Sequence, residues 1–192
     1  APGTFGPQQV ITTLADGARS VYAADLDGDG DQDVLAAAYY DDAIIWHENL
    51  TAAPDSSPGT FGGMRTISSL AEGASSVYAA DLDGDGDLDV LSASTDRFRS
   101  GGVEDRVAWY ENLSAAPDSN PGFFGAQQVI TLAAVEAASV YATDLDADGD
   151  LDVLSASAGD DRIAYYENYS AAPESAPGTF SALRTITTSA DA

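Results

Sequence analysis

The sequence predicts an all-β protein made of three tandem four-stranded blades of the β-propeller type, an incomplete ring or a segment of a longer repeat array. Three observations carry this. A sixteen-residue stretch occurs three times, from Ser20 to Leu35, Ser76 to Leu91 and Ser139 to Leu154. Around each copy lie β-branched and aromatic runs of strand length, bounded by Gly, Pro, Asn and Asp. No stretch sustains a helical period.

Each unit reads as four strands in order. Ser-Val-Tyr-Ala alternates into an acidic loop, and Asp-Val-Leu-Ser-Ala-Ser leaves it. Arg-Val-Ala-Trp-Tyr-Glu-Asn (residues 106–112) is the third strand, and after a Pro/Ser/Ala turn Thr-Phe-Gly-Gly-Met-Arg-Thr-Ile-Ser-Ser (residues 60–69) is the fourth. Four strands in about 56 residues is the arithmetic of a propeller blade. A β-solenoid competes, but its rungs are normally shorter. Small residues such as Ala23, Ala24, Ala36, Ala37 and Ala38 suit strands crowded near an axis.

The spacing fixes the boundaries. Phe5, Phe61 and Phe124 each stand 20 residues before the first loop aspartate. Asp25 to Asp81 is 56 residues and Asp81 to Asp144 is 63. The extra seven fall in an Arg- and Gly-rich insertion around residues 97–102, expected as a longer surface loop. Blade one then covers residues 15–70, blade two 71–133 and blade three 134–192. Residues 1–14 remain as an orphan outer strand, belonging to a preceding or partner blade.

Charge narrows the function. Seven basic residues, all arginine, face 32 acidic ones, a net charge of −25. Such a polyanion repels phosphate backbones and anionic lipid surfaces. No apolar run approaches the roughly 18 residues of a membrane span. No signal peptide opens the sequence, as for a cytosolic protein or one numbered after processing. The absence of cysteine excludes disulfides, zinc–thiolate sites and thiol nucleophiles. A single histidine, His47, removes most hydrolase and transition-metal chemistry.

The acidic loops carry the chemistry. Asp25, Asp27, Asp29, Asp31 and Asp33 recur as Asp81, Asp83, Asp85, Asp87 and Asp89, and as Asp144, Asp146, Asp148, Asp150 and Asp152. Two charges about 5 Å apart repel by roughly 3 kcal/mol at an effective dielectric near 20, so the pattern calls for a counter-cation. Oxygen-only ligands on a glycine-turned loop select Ca²⁺, about three ions in all, one per repeat. By analogy with calcium loops, positions one, three, five and nine give side chains and position seven its carbonyl. An EF-hand is excluded, because position twelve is Ala36, Ser92 or Ser155 and the flanks are strands. A solvated acidic turn is the plain alternative, but scattered acidity would not keep this spacing. Ala147 stands in the third loop where Gly28 and Gly84 stand in the others.

The Asp-Leu-Asp-Gly-Asp-Gly-Asp-x-Asp loop, preceded by Phe-Gly and followed by a small-residue strand, resembles the FG-GAP/VCBS-type repeat over nearly the whole chain. That family includes the integrin α-chain propeller, extracellular bacterial and algal repeat proteins and some fungal lectins. The resemblance implies propeller blades with Ca²⁺ held between the first two strands of each. The chain departs from the pattern at Ala36-Ala37-Ala38, Ser92-Ala93-Ser94 and Ser155-Ala156-Ser157, where the family has Gly-Ala-Pro, and at Phe180-Ser181, where it has Phe-Gly. Neither departure touches a metal position.

Other motifs are weighed against plainer readings. Trp46-His47-Glu48, Trp109-Tyr110-Glu111 and Tyr165-Tyr166-Glu167 pair an aromatic with a carboxylate. Recurrence in every blade argues for a structural strand, since an active site is needed once. His47 is expected to be an exposed strand residue. Asn49, Asn112 and Asn168 open N-glycosylation sequons before a turn expected to be exposed.

The function expected is therefore non-catalytic: a secreted calcium-binding repeat module for extracellular assembly or adhesion at the cell surface, where weak sites are filled. The alternatives are a calcium-dependent lectin using aromatics between blades, and an accessory domain of a secreted hydrolase. Expected partners are other copies or flanking repeats, with glycans or matrix proteins as further candidates, and neither nucleic acid nor membrane insertion.

Overall fold

A computed structural model describes the chain except residues 1, 2, 4, 5, 52–56, 58, 96–104, 115–121, 171–174 and 188–192. The Arg/Gly insertion at 97–102 lies outside the described residues. The described residues form an all-β structure of three four-stranded antiparallel sheets.

In blade one, β1 (Ala18–Ala24), β2 (Asp33–Ala38), β3 (Ala43–His47) and β4 (Arg65–Ser68) pair in chain order. Blade two repeats this with β5 (Ala74–Ala80), β6 (Asp89–Ser94), β7 (Arg106–Tyr110) and β8 (Gln128–Thr131). Blade three has β9 (Ala137–Thr143), β10 (Asp152–Ser157), β11 (Arg162–Tyr166) and β12 (Arg184–Thr187). The register repeats: Leu35 faces Tyr22 and Trp46, Leu91 faces Tyr78 and Trp109, and Leu154 faces Tyr141 and Tyr165. The fourth strand is shorter than its sequence run. The same break recurs in every blade, at Gly62-Gly63, Gly125-Ala126 and Ser181-Ala182, leaving Phe61, Phe124 and Phe180 as isolated bridges to Asn49, Asn112 and Asn168.

The core lies between blades. Leu26, Leu35, Ile44 and Trp46 of blade one pack on Ala74, Val77, Val90 and Tyr110 of blade two. Leu82, Leu91, Val107 and Trp109 of blade two pack on Ala137, Val140, Val153 and Tyr166 of blade three. Blade two is thus covered on both faces, which is why all of β6 is buried rather than alternating. The innermost strands β1, β5 and β9 adjoin one another, and Tyr22, Tyr78 and Tyr141 form a tilted ladder with successive centroids 4.7 Å apart. Ala24, Ala36, Ala37 and Ala38 are buried in this crowded region, while Ala23 is exposed.

Residues 3–13 are not the strand that their sequence suggests. Their described members, 3 and 6–13, adopt turn and irregular backbone. A strand is defined by its pairing, and no described strand pairs with this segment. It instead borders the outer face of blade one, enclosing a groove of about 300 Å³ with Val21, Val34, Ala36, Ile45 and His47.

Candidate metal sites in the acidic turns

Each acidic turn connects the first two strands of its blade, and its aspartates organise the backbone before any ligand is considered. Asp25 accepts from the N–H of Gly28 (2.9 Å) and Gly30 (3.0 Å). Asp81 does the same with Gly84 and Gly86, and Asp144 with Ala147 and Gly149. The position-nine aspartates are buried, with Asp33 and Asp89 at 0% exposure. One Asp33 oxygen accepts from Leu26 N (2.9 Å) and the other from Asn49 N (2.8 Å), tying turn, second strand and third-strand exit together. Asp89 and Asp152 repeat this with Leu82 and Asn112, and with Leu145 and Asn168.

Among the described residues, three carboxylate groups could hold a metal: Asp25, Asp27 and Asp29; Asp81, Asp83 and Asp85; and Asp144, Asp146 and Asp152. Within each group one oxygen per residue lies within 4.8 Å of the others. Asp31, Asp87 and Asp150 fall outside these groups, as do Asp33, Asp89 and Asp148. The third turn differs in taking position nine instead of position five. The donors are hard carboxylate oxygens, the set that suits Ca²⁺, Mg²⁺ or Mn²⁺ rather than zinc or copper.

Burial, with neighbouring carboxylates adding to it, raises five of the loop aspartates. Burial pushes Asp33 up to about 6, and Asp27 and Asp29 add to this while the N–H groups of Asn49 and Leu26 oppose it. Asp89 is pushed to about 7, again chiefly by burial, with Asp83 and Asp85 contributing. Asp83 reaches about 6 through burial and then Asp85, Glu111 and Asp81, against the opposing N–H of Asp85. Asp27 and Asp146 are also raised, by desolvation first and then by Asp29 and Asp148 respectively.

Ala147 is a strained point. It sits at φ 65°, where Gly28 and Gly84 sit at 77° and 81°. A Cβ in this left-handed region costs on the order of 1 kcal/mol. Ala147→Gly is expected to stabilise the protein by about that amount, read as a shift in the urea midpoint. An unchanged midpoint would refute strain at this turn.

The structure corrects three expectations from sequence. His47 is buried at 4% exposure, with Nδ1 3.1 Å from Gly62 O and Nε2 without a partner among the described residues. It occupies the position of Tyr110 and Tyr166, whose side chains are also buried. Trp46 and Trp109, the inter-blade aromatics of the lectin reading, are 1% and 2% exposed, so neither offers a face to a sugar.

Two of the three sequon asparagines, Asn112 and Asn168, are brackets between blades and not surface sites. Asn112 and Asn168 are 1% and 0% exposed. The Asn112 Nδ2 donates to Leu26 O (2.8 Å) in blade one and to Leu88 O (3.0 Å) in its own blade. Asn168 repeats this toward Leu82 and Leu151. A glycan on either nitrogen would remove one of its two N–H donors and require room between packed blades. The sequon hydroxyls serve the same network: Ser114 Oγ donates to Asn112 Oδ1 (2.6 Å) and accepts from Gly122 N (2.7 Å). The signal was present in the sequence, as an Asn ending a strand with Ser or Thr two residues on makes such a turn. Asn49 is half-buried and keeps only the bond within its own blade, to Gln32 O.

Fold and turn together define a tandem array of four-stranded blades, each carrying one acidic turn between its two inner strands. The FG-GAP-like repeat family matches residues 1–36 and 25–92. Residues 1–92 are thus FG-GAP-type repeat sequence, which supports an FG-GAP-type repeat protein. Blade three lies beyond the matched residues and repeats the same turn, register and bracket. No curated protein matches the chain. FG-GAP-like repeats are typically non-catalytic structural modules.

Proposed function

We propose that this chain is a secreted calcium-binding repeat module with a structural or adhesive, non-catalytic role in extracellular assembly. The observation that carries the calcium reading is the recurrence of three convergent carboxylates in every blade, within reach of one ion. Asp25, Asp27 and Asp29, their counterparts Asp81, Asp83 and Asp85, and Asp144, Asp146 and Asp152 would hold the ions. Bound calcium would neutralise the turn and stiffen the link between the first two strands. Ca²⁺ suits such a turn better than Mg²⁺, which demands near-ideal octahedral geometry and gives up water reluctantly. Weak sites of this kind fill outside cells, where calcium is millimolar, which supports an extracellular location.

Calorimetry decides it. Calcium titrated into the chelator-treated chain is expected to bind at about three sites, with magnesium much weaker. Absence of binding heat at millimolar calcium, with no change in melting, would overturn the proposal.

A further inference from the structure

The contact between blades one and two is repeated, in its main hydrogen bonds and packing, between blades two and three. Asn112 Nδ2 reaches Leu26 O at 2.8 Å, and Asn168 Nδ2 reaches Leu82 O at 2.7 Å. Val77 N donates to Ser20 Oγ and Val140 N to Ser76 Oγ, both at 3.3 Å. Gly122 lies so close to Trp46, and Gly178 to Trp109, that a Cβ on either glycine would collide with the indole. Each joint thus uses one set of groups on the leading face of a blade and a second set on the trailing face of its neighbour.

At the two ends of the chain, one half of every such pair is present without the other. On blade one, Val21 is 70% exposed, whereas its counterparts Val77 and Val140 are 4% and 5% exposed. Gly59, the counterpart of Gly122 and Gly178, has open space around it. Asn49 lacks the cross-blade carbonyl bond, and His47 Nε2 is buried and unpartnered among the described residues. On blade three, Leu145 is 46% exposed where Leu26 and Leu82 are each 1% exposed. Ile163 is 38% exposed where Val107 is 0%. Tyr141 ends the tyrosine ladder with a free face, and Tyr165 stands where Trp46 and Trp109 receive a glycine.

We infer that the blade-three end of one copy docks on the blade-one end of a second copy, continuing the internal joint. In that joint Asn49 Nδ2 meets the Leu145 carbonyl, Gly59 packs on the Tyr165 ring, Val21 N meets Ser139 Oγ, and Tyr22 follows Tyr141. The occupant is a second copy because the two open faces are the two halves of an interface this chain already forms twice. Residues 8–12, which border the blade-one face, are unpaired with any strand, so moving them breaks no sheet. The contact is heterologous: it closes a ring if the rotation per copy allows, and otherwise continues as a filament.

Paired variants test the geometry. Val21→Arg blocks one end and Ile163→Arg the other, both at positions exposed in the single chain. Circular dichroism checks folding, and Ala23→Arg on the same exposed strand replaces Val21→Arg if that variant unfolds. Light scattering of the wild type at micromolar concentration and physiological salt is expected to give multiples of 19.7 kDa. Each variant alone is expected to fall to the mass of one chain. Their equimolar mixture should regain a species of two chains and nothing larger, since one intact joint remains. A wild type with the mass of one chain would mean that something other than a second copy covers these faces, and would overturn the inference. So would variants that leave the mass unchanged, or a mixture that fails to associate.

Discussion

Treatment with excess chelator is expected to lower the melting temperature by on the order of 20 °C, with millimolar calcium restoring it. Free calcium at ~100 times Kd adds about 2.7 kcal/mol per site, so three independent sites contribute roughly 8 kcal/mol. A domain of this size has a total stability of about 5–15 kcal/mol, and each kcal/mol moves its melting temperature by about 2–4 °C. The physical source is the repulsion the ion removes. Carboxylate oxygens within 4.8 Å of each other repel by about 3 kcal/mol per pair at an effective dielectric near 20. Differential scanning calorimetry with and without chelator gives the answer, and coincident curves would refute it.

Acidification supplies an independent sign. In chelator, Asp33 and Asp83 titrate at about 6 and Asp89 at about 7 in the folded state, against 3.8 when unfolded. The folded chain therefore binds more protons across that window. Its stability from these groups is fully present below 3.8 and is lost as pH rises through about 7. The calcium-loaded chain behaves oppositely, because protons compete with the metal for the same oxygens. The gap between the two melting curves should be widest at neutral pH and close on acidification.

The acidic turns were legible because their information is local: alternate aspartates and two glycines specify both the turn and its donors within nine residues. Strand identity was legible for the same reason, since the inner strands carry dense Val, Leu and Ala. Burial was not. His47 was read as exposed because tyrosine stands at its position in the other blades, yet β3 is buried along its whole length. Blade two packs on one face of this strand and residues 8–12 border the other, so the burial comes from segments remote in sequence. Asn112 and Asn168 were misread through a motif for modification, when their partners Leu26 and Leu82 lie 86 residues away and belong to the preceding blade. Residues 8–12 failed in the opposite direction. Their Gln-Gln-Val-Ile-Thr is identical to residues 127–131, four of which form β8, but a strand is a property of two segments and no described strand pairs with this one.

Asn112→Ala is expected to destabilise the protein by about 4 kcal/mol. The substitution removes the donor to two carbonyls, Leu26 O and Leu88 O, and the acceptor for Ser114 N and Oγ. Leaving a buried polar group unsatisfied costs about 1–3 kcal/mol, and two carbonyls lose their donor at once. No water replaces it readily, because the side chain is 1% exposed between packed blades. Loss of Ser114 order also loosens Gly122, which the Ser114 hydroxyl holds against Trp46. Asn49→Ala is the internal control. Asn49 Oδ1 likewise accepts from Thr51 N and Oγ, but its amide nitrogen has one carbonyl partner, Gln32 O, at an exposed bond, so the same change there should cost less, about 1–2 kcal/mol. Urea titrations at a concentration where the chain is dispersed would compare the two. Equal losses would show that the cross-blade bond adds nothing, and that the bracket works only within its own blade. A loss at Asn112 several times that at Asn49 would place the stability of the array in its joints. Asn49→Ala would then be the variant that weakens association between copies while sparing the fold.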